Sequence, residues 1–315
     1  MSDTYCSAFW THTNLRPGNQ VFPCCRFKHS IQSFDGNLNS VLTTPTYEKL
    51  RHLSSTGQKI PGCEKCYHEE NNSKQSYRQW FNQKYQQDVV DLRWVELGLD
   101  NQCNLTCDGC SEEFSSAWAT KKSLNTIKKF NVTSIKEISY IPDSITEISF
   151  LGGEPLMNNR HIRLLRMAKN KANIHIHYNT NGTFMLDLDT IDLLNQFKSV
   201  NFVVSVDGYQ ELNDKVRQGS HWEDIESFIE QILATNFAMQ IHTVIHKNNW
   251  QGLGDLRNFI RSKNLNWRIN VLTFPNHLDI VNLDLHEKQQ LIDILSEYPD
   301  ISEQDYIKSH IGISQ

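Results

Sequence analysis

The sequence has no lysine- or arginine-rich block. Its 31 basic residues are outnumbered by 36 acidic ones, for a net charge of -5. That disfavours binding to a nucleic-acid backbone irrespective of sequence. It also has no apolar run long enough to span a bilayer. The opening residues, Met1 to Cys6, lack a basic segment followed by an apolar one, so no secretory leader is expected. Internal repeats and low-complexity tracts are missing too. What is left is a globular composition, 38% hydrophobic and 21% charged, in 315 residues. That length suits one large domain with a smaller one. A cytoplasmic location is expected. In that reducing compartment its eight cysteines point to metal rather than to disulfides.

Three of the cysteines stand together in Cys103-Asn104-Leu105-Thr106-Cys107-Asp108-Gly109-Cys110. The run before them, Arg93 to Asp100, alternates like a strand. The run after, from Ser111, reads as a helix with Phe114, Ala117 and Trp118 on one face. The cysteines therefore lie on a loop at a strand end. Three thiolates there can hold three corners of an iron–sulfur cube. The fourth iron stays open, which is a catalytic arrangement rather than a closed structural one. The plainer alternative is a zinc site completed by a stray fourth ligand, although zinc ligands usually come as two separated pairs.

At these residues the sequence resembles the radical S-adenosylmethionine (SAM) superfamily, whose C-x3-C-x2-C pattern falls here on Cys103, Cys107 and Cys110. A second match, Gly152-Gly153-Glu154-Pro155, follows a strand over 146–151. In that family this stretch lines the amino group of SAM. The family often carries a bulky residue before the third cysteine, near the adenine. Here that position is Gly109, so the adenine must find its packing elsewhere.

Residues 1–88 hold the other five cysteines, Cys6, Cys24, Cys25, Cys63 and Cys66. Turn-like Pro17-Gly18-Asn19 before Val21–Arg26 suggests a hairpin. Thr44-Pro45 caps and starts a helix. Pro61-Gly62 turns into Cys63-Glu-Lys-Cys66, and a helix is expected over 69–86. The layout resembles the auxiliary-cluster modules called SPASM and twitch domains, which usually follow the core rather than precede it. The resemblance implies a second, auxiliary 4Fe–4S cluster on Cys6, Cys24, Cys63 and Cys66. Adjacent strand residues point to opposite faces, so only one of Cys24 and Cys25 should reach the metal, and the resemblance favours Cys24. A zinc knuckle would use the same four ligands.

From Asp91 onward strands alternate with helices. Strands are expected over 94–99, 146–151, 174–178, 200–206, 239–245 and 267–272, with helices over 111–130, 156–170, 190–197, 221–235 and 250–263. Six such units read as a parallel α/β barrel. The resemblance makes it a partial (β/α)6 TIM-like barrel over 89–275, capped by a helical segment over 276–315. Alternation puts Val95, Leu97, Ile148 and Phe150 toward the helices. Glu96, Ser149, His175, His177, Asn179, Ser205 and Asp207 then face the lumen. Burying such groups unpaired would cost about 1–3 kcal/mol each, so a wet, ligand-holding lumen is expected.

The resemblance implies that SAM is held by Gly152, Gly153, Glu154, Asn179, Ser205, Asp207 and Arg217. His242, His246, Arg268 and Asn270 on the last two strands are left as substrate candidates, Arg268 as a buried cation in need of an anion. The expected activity is reductive cleavage of SAM to a 5′-deoxyadenosyl radical that abstracts hydrogen from the substrate, with flavodoxin or ferredoxin as electron donor. The auxiliary module points first to a peptide or protein substrate. The alternatives are a small molecule such as a nucleotide or aminoglycoside, and, in another class, a non-catalytic iron–sulfur electron carrier or regulator.

Overall fold

The computed structural model describes residues 2–72, 74–86, 88–123, 132–301 and 303–312. Among them eleven strands run in chain order. They are β1 (His12–Arg16), β2 (Gln20–Phe22), β3 (Gln32–Ser33), β4 (Trp94–Gly98), β5 (Thr106–Cys107), β6 (Glu147–Leu151), β7 (His175–Thr180), β8 (Ser199–Ser205), β9 (Arg217–Gln218), β10 (Ala238–Ile245) and β11 (Asn266–Val271). The chain forms two compact units. The first takes residues 1–102, 131–177 and 188–200; the second takes 103–130, 178–187 and 201–315. β7 and β8 each begin in the first unit and end in the second.

In the first unit the strands lie in the order β3-β2-β1-β4-β6. β1 turns into β2 through Gly18 and Asn19, both at positive φ, so the expected hairpin forms slightly earlier than Val21. β1 then pairs in parallel with β4, and β4 with β6. Val95, Leu97, Ile148 and Phe150 are fully buried on one face. Trp94, Glu96, Glu147 and Ser149 occupy the other, and the Trp94 indole N–H donates to Ser149 Oγ at 2.8 Å. Glu147 takes hydrogen bonds from Lys84 and Tyr85, both at 2.5 Å, with His177 3.7 Å away.

Local signals explain two of the helix starts here. Thr44 accepts from the Tyr47 amide, and Pro45 begins the helix Pro45–Ser55. The single helix expected over 69–86 is two, Glu64–Asn71 and Tyr77–Lys84. Ser76 divides them. Its hydroxyl accepts from the Gln79 amide while the Gln79 side chain returns to the Ser76 amide, a reciprocal cap that starts a new helix. The helix expected over 156–170 is likewise split, into a 3₁₀ turn Pro155–Met157 and a helix Arg160–Met167.

In the second unit β8, β10 and β11 are parallel neighbours, and β5 and β9 form a separate antiparallel pair. The helices Trp222–Leu233 and Leu253–Ser262 bury Phe228, Ile229, Leu256 and Ile260. The last expected helix is Leu285–Glu297, opened by a reciprocal cap between Asp284 and Glu287. Its Leu291 and Leu295 join Ile245, Ile269 and Ile307 in one core. The helix expected from Ser111 begins at Ser116 and is described to Ser123. Its expected continuation over 124–130 lies outside the described residues. The result is an α/β fold with a mostly parallel central sheet. No helix among the described residues is long and apolar enough to cross a membrane.

Candidate active site

The cysteine loop belongs to the second unit and is tied down along its length. β5 lies inside it and pairs with β9, bringing Cys107 opposite Arg217. The Asp108 amide donates to Val216 O at 2.8 Å. Ser115 Oγ donates to Leu105 O, the Cys103 amide donates to Ser116 Oγ, and the Trp118 indole N–H donates to Cys107 O at 3.0 Å. Asn181 Nδ2 donates to Asn104 Oδ1 at 2.9 Å. These bonds anchor the loop, and none of its three thiols is in a disulfide.

Gly109 has φ +76°, a left-handed conformation that disfavours a side chain. A Cβ there would also stand 2.9 Å from Leu272 Cδ2. The missing bulky residue before Cys110 thus has a local cause, since Leu272 from the end of β11 already fills its space.

Burial pushes the Cys107 thiol up to about 11, although Arg217 pulls the other way. Burial and then the neighbouring Cys107 push Cys110 up to about 11 as well. Thiolates, not thiols, bind metal, so loading such a site releases protons. Among the described residues no three His, Cys, Asp or Glu side chains converge on a point that could hold one metal ion. A cube cluster makes a different demand, one thiolate on each of three irons. Three half-buried thiols on an anchored loop, with a buried guanidinium to offset their charge, fit that demand.

Arg217 is itself balanced. Its Nη1 donates to Asp207 Oδ2 at 2.7 Å, while the Val244 amide donates to Asp207 Oδ1 at 2.7 Å. The two expected SAM contacts are therefore engaged with each other. Asn179 is exposed and Ser205 half-buried, each at its expected strand end.

The Gly152-Gly153-Glu154 stretch belongs to the first unit. Gly152 has φ +111°. A Cβ on Gly153 would lie 2.0 Å from Gln102 O and 2.5 Å from Gln102 C. Only glycine lets the exit of β6 press against the segment leaving β4, and there the Glu154 amide donates to Gln102 O at 2.6 Å. Glu154 is buried, and its Oε1 accepts from the Leu156 amide. Asp100, Gly153, Glu154 and Asn158 line one small recess.

Residues 100–260, just over half of the chain, match the family model of the radical SAM superfamily. The chain belongs to the radical SAM superfamily. This radical SAM enzyme is 27% identical over 203 residues to GTP 3′,8-cyclase 1 of Mycobacterium tuberculosis, covering 60% of this chain and 52% of that protein. It is 30% identical over 87 residues to 7-carboxy-7-deazaguanine synthase of Clostridium acetobutylicum, covering 27% of this chain and 36% of the other. It is also similar to the solved structure of native anSMEcpe with bound AdoMet, with a TM-score of 0.48 at 17% identity, over 69% of this chain and 62% of that one. The chain spans about half the length of the first of these relatives. Membership carries the cofactor pair of the superfamily, a 4Fe–4S cluster and SAM.

The residues expected to meet substrate in this radical SAM enzyme fare unequally. His242 and Asn270 meet, with Nε2 and Nδ2 2.8 Å apart. His246 is buried, its Nδ1 accepting from the Asn248 amide, and burial lowers its basicity. Arg268 is exposed. The expectation of a buried cation in need of an anion is therefore wrong. β11 is the outermost strand of its sheet, so its polar side chains reach solvent.

Among the N-terminal cysteines, Cys6 is buried in an aromatic cluster against which Cys24 and Cys63 pack. Burial pushes the Cys6 thiol up to about 12, with a further push from Cys66. Burial also raises Cys24 and Cys63, and each feels the charge of Cys6. Cys25 is exposed, and its thiol neighbours Glu96, Tyr77, Arg26 and Arg16.

The sequence reading missed the partners of Glu96. Asn14 Nδ2 donates to Glu96 Oε2 at 2.8 Å, and His12 Nε2 stands 3.5 Å from the same oxygen. Both partners come from β1, 82 residues earlier for Asn14. The alternation of polar His12, Asn14 and Arg16 was the available signal. Thus Glu96, expected to face a wet lumen, is buried with protein partners.

Proposed function

We propose that this enzyme cleaves SAM reductively at Cys103, Cys107 and Cys110 and uses the resulting radical on a small organic substrate. The observation that carries the first part is the anchored loop, three half-buried thiols beside the buried Arg217–Asp207 pair. When bound and reduced, the 4Fe–4S cluster supplies the electron that splits SAM into methionine and a 5′-deoxyadenosyl radical, which takes hydrogen from an unactivated carbon. The chain's residues do the positioning. Gly152 and Gly153 let the exit of β6 pack against the backbone of Asp100 and Gln102, and Glu154 is assigned to the amino group of SAM by the resemblance alone. Asn179, Ser205, Asp207 and Arg217 serve its ribose and carboxylate. Flavodoxin or ferredoxin delivers the electron.

The parallel strands β4, β6, β7, β8, β10 and β11 are read as a partial (β/α)6 barrel over 89–275. Residues 1–88 form the auxiliary module, and 276–315 the cap. The small-molecule reading draws on the relatives, whose names describe a GTP cyclase and a deazaguanine synthase. The N-terminal thiols favour a second reading. Cys6, Cys24, Cys63 and Cys66 would hold an auxiliary cluster, as in enzymes that modify peptides; the packing of Cys24 and Cys63 against the aromatic cluster that buries Cys6 supports that grouping.

The test is anaerobic reconstitution followed by iron analysis and product assay. Two cube clusters per chain are expected. Loss of one cluster and of all SAM cleavage is expected in the Cys103→Ala, Cys107→Ala, Cys110→Ala triple variant. Stoichiometric zinc in place of a second cluster would refute the auxiliary assignment and leave the first untouched.

A further inference from the structure

Arg217 has more donors than its partner uses. The side chain is almost wholly buried, and a guanidinium stays charged in any protein environment. Nη1 is taken by Asp207 Oδ2 at 2.7 Å. The other Asp207 oxygen is taken by the Val244 amide, so this carboxylate has its place fixed by backbone as well as by Arg217. The Asn213 side chain accepts from the Asp207 amide, and Asn249 Nδ2 donates to Asp207 O. Arg217 Nε, by contrast, is buried and has no hydrogen-bond partner among the described residues. An unpaired buried N–H is costly and calls for an acceptor.

The nearest elements say which acceptor. Arg217 stands opposite Cys107 in the β5–β9 pair. Both strands of this pair are two residues long, so it is a local clamp joining the cysteine loop to one cation.

We propose that the buried Nε–H of Arg217 is the donor reserved for a sulfur at the Cys107 corner of the cluster, and that Arg217 thereby raises the cluster's reduction potential. The inference rests on the cluster assignment above and adds a role that binding of SAM does not require. Hydrogen bonds to the sulfurs and nearby positive charge both favour the more negative, reduced state. Asp207 moderates the effect by cancelling most of the charge while leaving the N–H in place. Arg217 is a positioning residue here. It sets how readily the electron arrives and takes no part in bond breaking.

The experiment is a reductive titration of the reconstituted full chain without SAM, followed by electron paramagnetic resonance. The relevant signal is the one missing from the triple-cysteine variant. Arg217→Gln is expected to lower the equilibrium constant for reduction about tenfold, which for one electron is about 59 mV more negative. Arg217→Lys keeps the charge but not the Nε–H, and is expected to fall between wild type and Arg217→Gln. SAM affinity is measured in parallel by equilibrium dialysis. An unchanged potential in both variants with weakened SAM binding would overturn the proposal, since Arg217 would then serve SAM alone. If neither variant loads iron, Asp207→Asn decides. Its unopposed guanidinium is expected to raise the potential, and no rise overturns the proposal. Wild-type protein that never acquires this signal would instead refute the underlying cluster assignment.

Discussion

Gly153→Ala puts one methyl group where the structure has none to spare. A Cβ at this position would lie 2.0 Å from Gln102 O, 2.5 Å from Gln102 C and 2.7 Å from Asn101 C. All three are backbone atoms, so no side chain can rotate away. To restore ordinary contact, the exit of β6 and the segment after β4 must separate by about 1 Å or more. That movement breaks the 2.6 Å bond from the Glu154 amide to Gln102 O. Overpacking of this kind costs about 1–3 kcal/mol, and the lost hydrogen bond adds about 1 kcal/mol. A loss of about 2–4 kcal/mol in urea-unfolding free energy is expected. SAM affinity should fall as well, because Glu154 moves with the strand. Gly18→Ala is the comparison, since Gly18 is at positive φ but its Cβ would have only a 3.9 Å contact. It should show backbone strain alone, about 1–2 kcal/mol. If Gly153→Ala unfolds within 0.5 kcal/mol of wild type by the usual surface-mutation yardstick of about that size, the steric reasoning at this motif is wrong.

Cys24→Ala should lose the auxiliary cluster while Cys25→Ala keeps it, read as iron per chain; equal loss from both would refute the division between them. Burial alone would raise the Glu147 carboxyl, but the nearby His177 and the hydrogen bonds from Lys84 and Tyr85 outweigh it and hold it near 2, below its ordinary 4.5. The pKa is depressed in the folded state, so its stabilisation is present above about 4.5 and is lost as pH falls toward 2. Wild type and Glu147→Gln should therefore differ by about 3 kcal/mol at pH 7 and converge near pH 2 in urea titrations; a pH-independent difference contradicts the network. Arg268→Ala removes an exposed side chain and should leave iron content, SAM cleavage and the melting temperature unchanged; loss of iron or of stability would make Arg268 structural.

Regular elements were legible where side-chain period and burial agree. β4, β6, β8, β10 and β11 all appear within a residue or two of their expected bounds, because each alternates apolar residues toward a helical layer. The break at Ser76 was written in its own residues, Ser76 and Gln79, but the aromatic run Tyr77, Trp80, Phe81 and Tyr85 suggested a single longer helix. The cysteine loop and the Gly152-Gly153-Glu154 stretch were legible as motifs. The reasons for their glycines were not, since Leu272 and Gln102 are distant in sequence. Long-range pairing was the main blind spot. Nothing local says that His12 and Asn14 meet Glu96, or that Arg217 stands opposite Cys107. The exposure of Arg268 was missed for a related reason: alternation assigns a face to a residue but does not reveal that its strand is outermost.

The central claim is tested most directly by incubating anaerobically reconstituted, reduced protein with SAM and measuring 5′-deoxyadenosine. The expected result is 5′-deoxyadenosine with an equal amount of methionine from wild type, and neither from the Cys103→Ala, Cys107→Ala, Cys110→Ala variant. Cleavage that persists in that variant, or none from cluster-loaded wild type, would contradict the assignment of Cys103, Cys107 and Cys110 as the site of SAM cleavage.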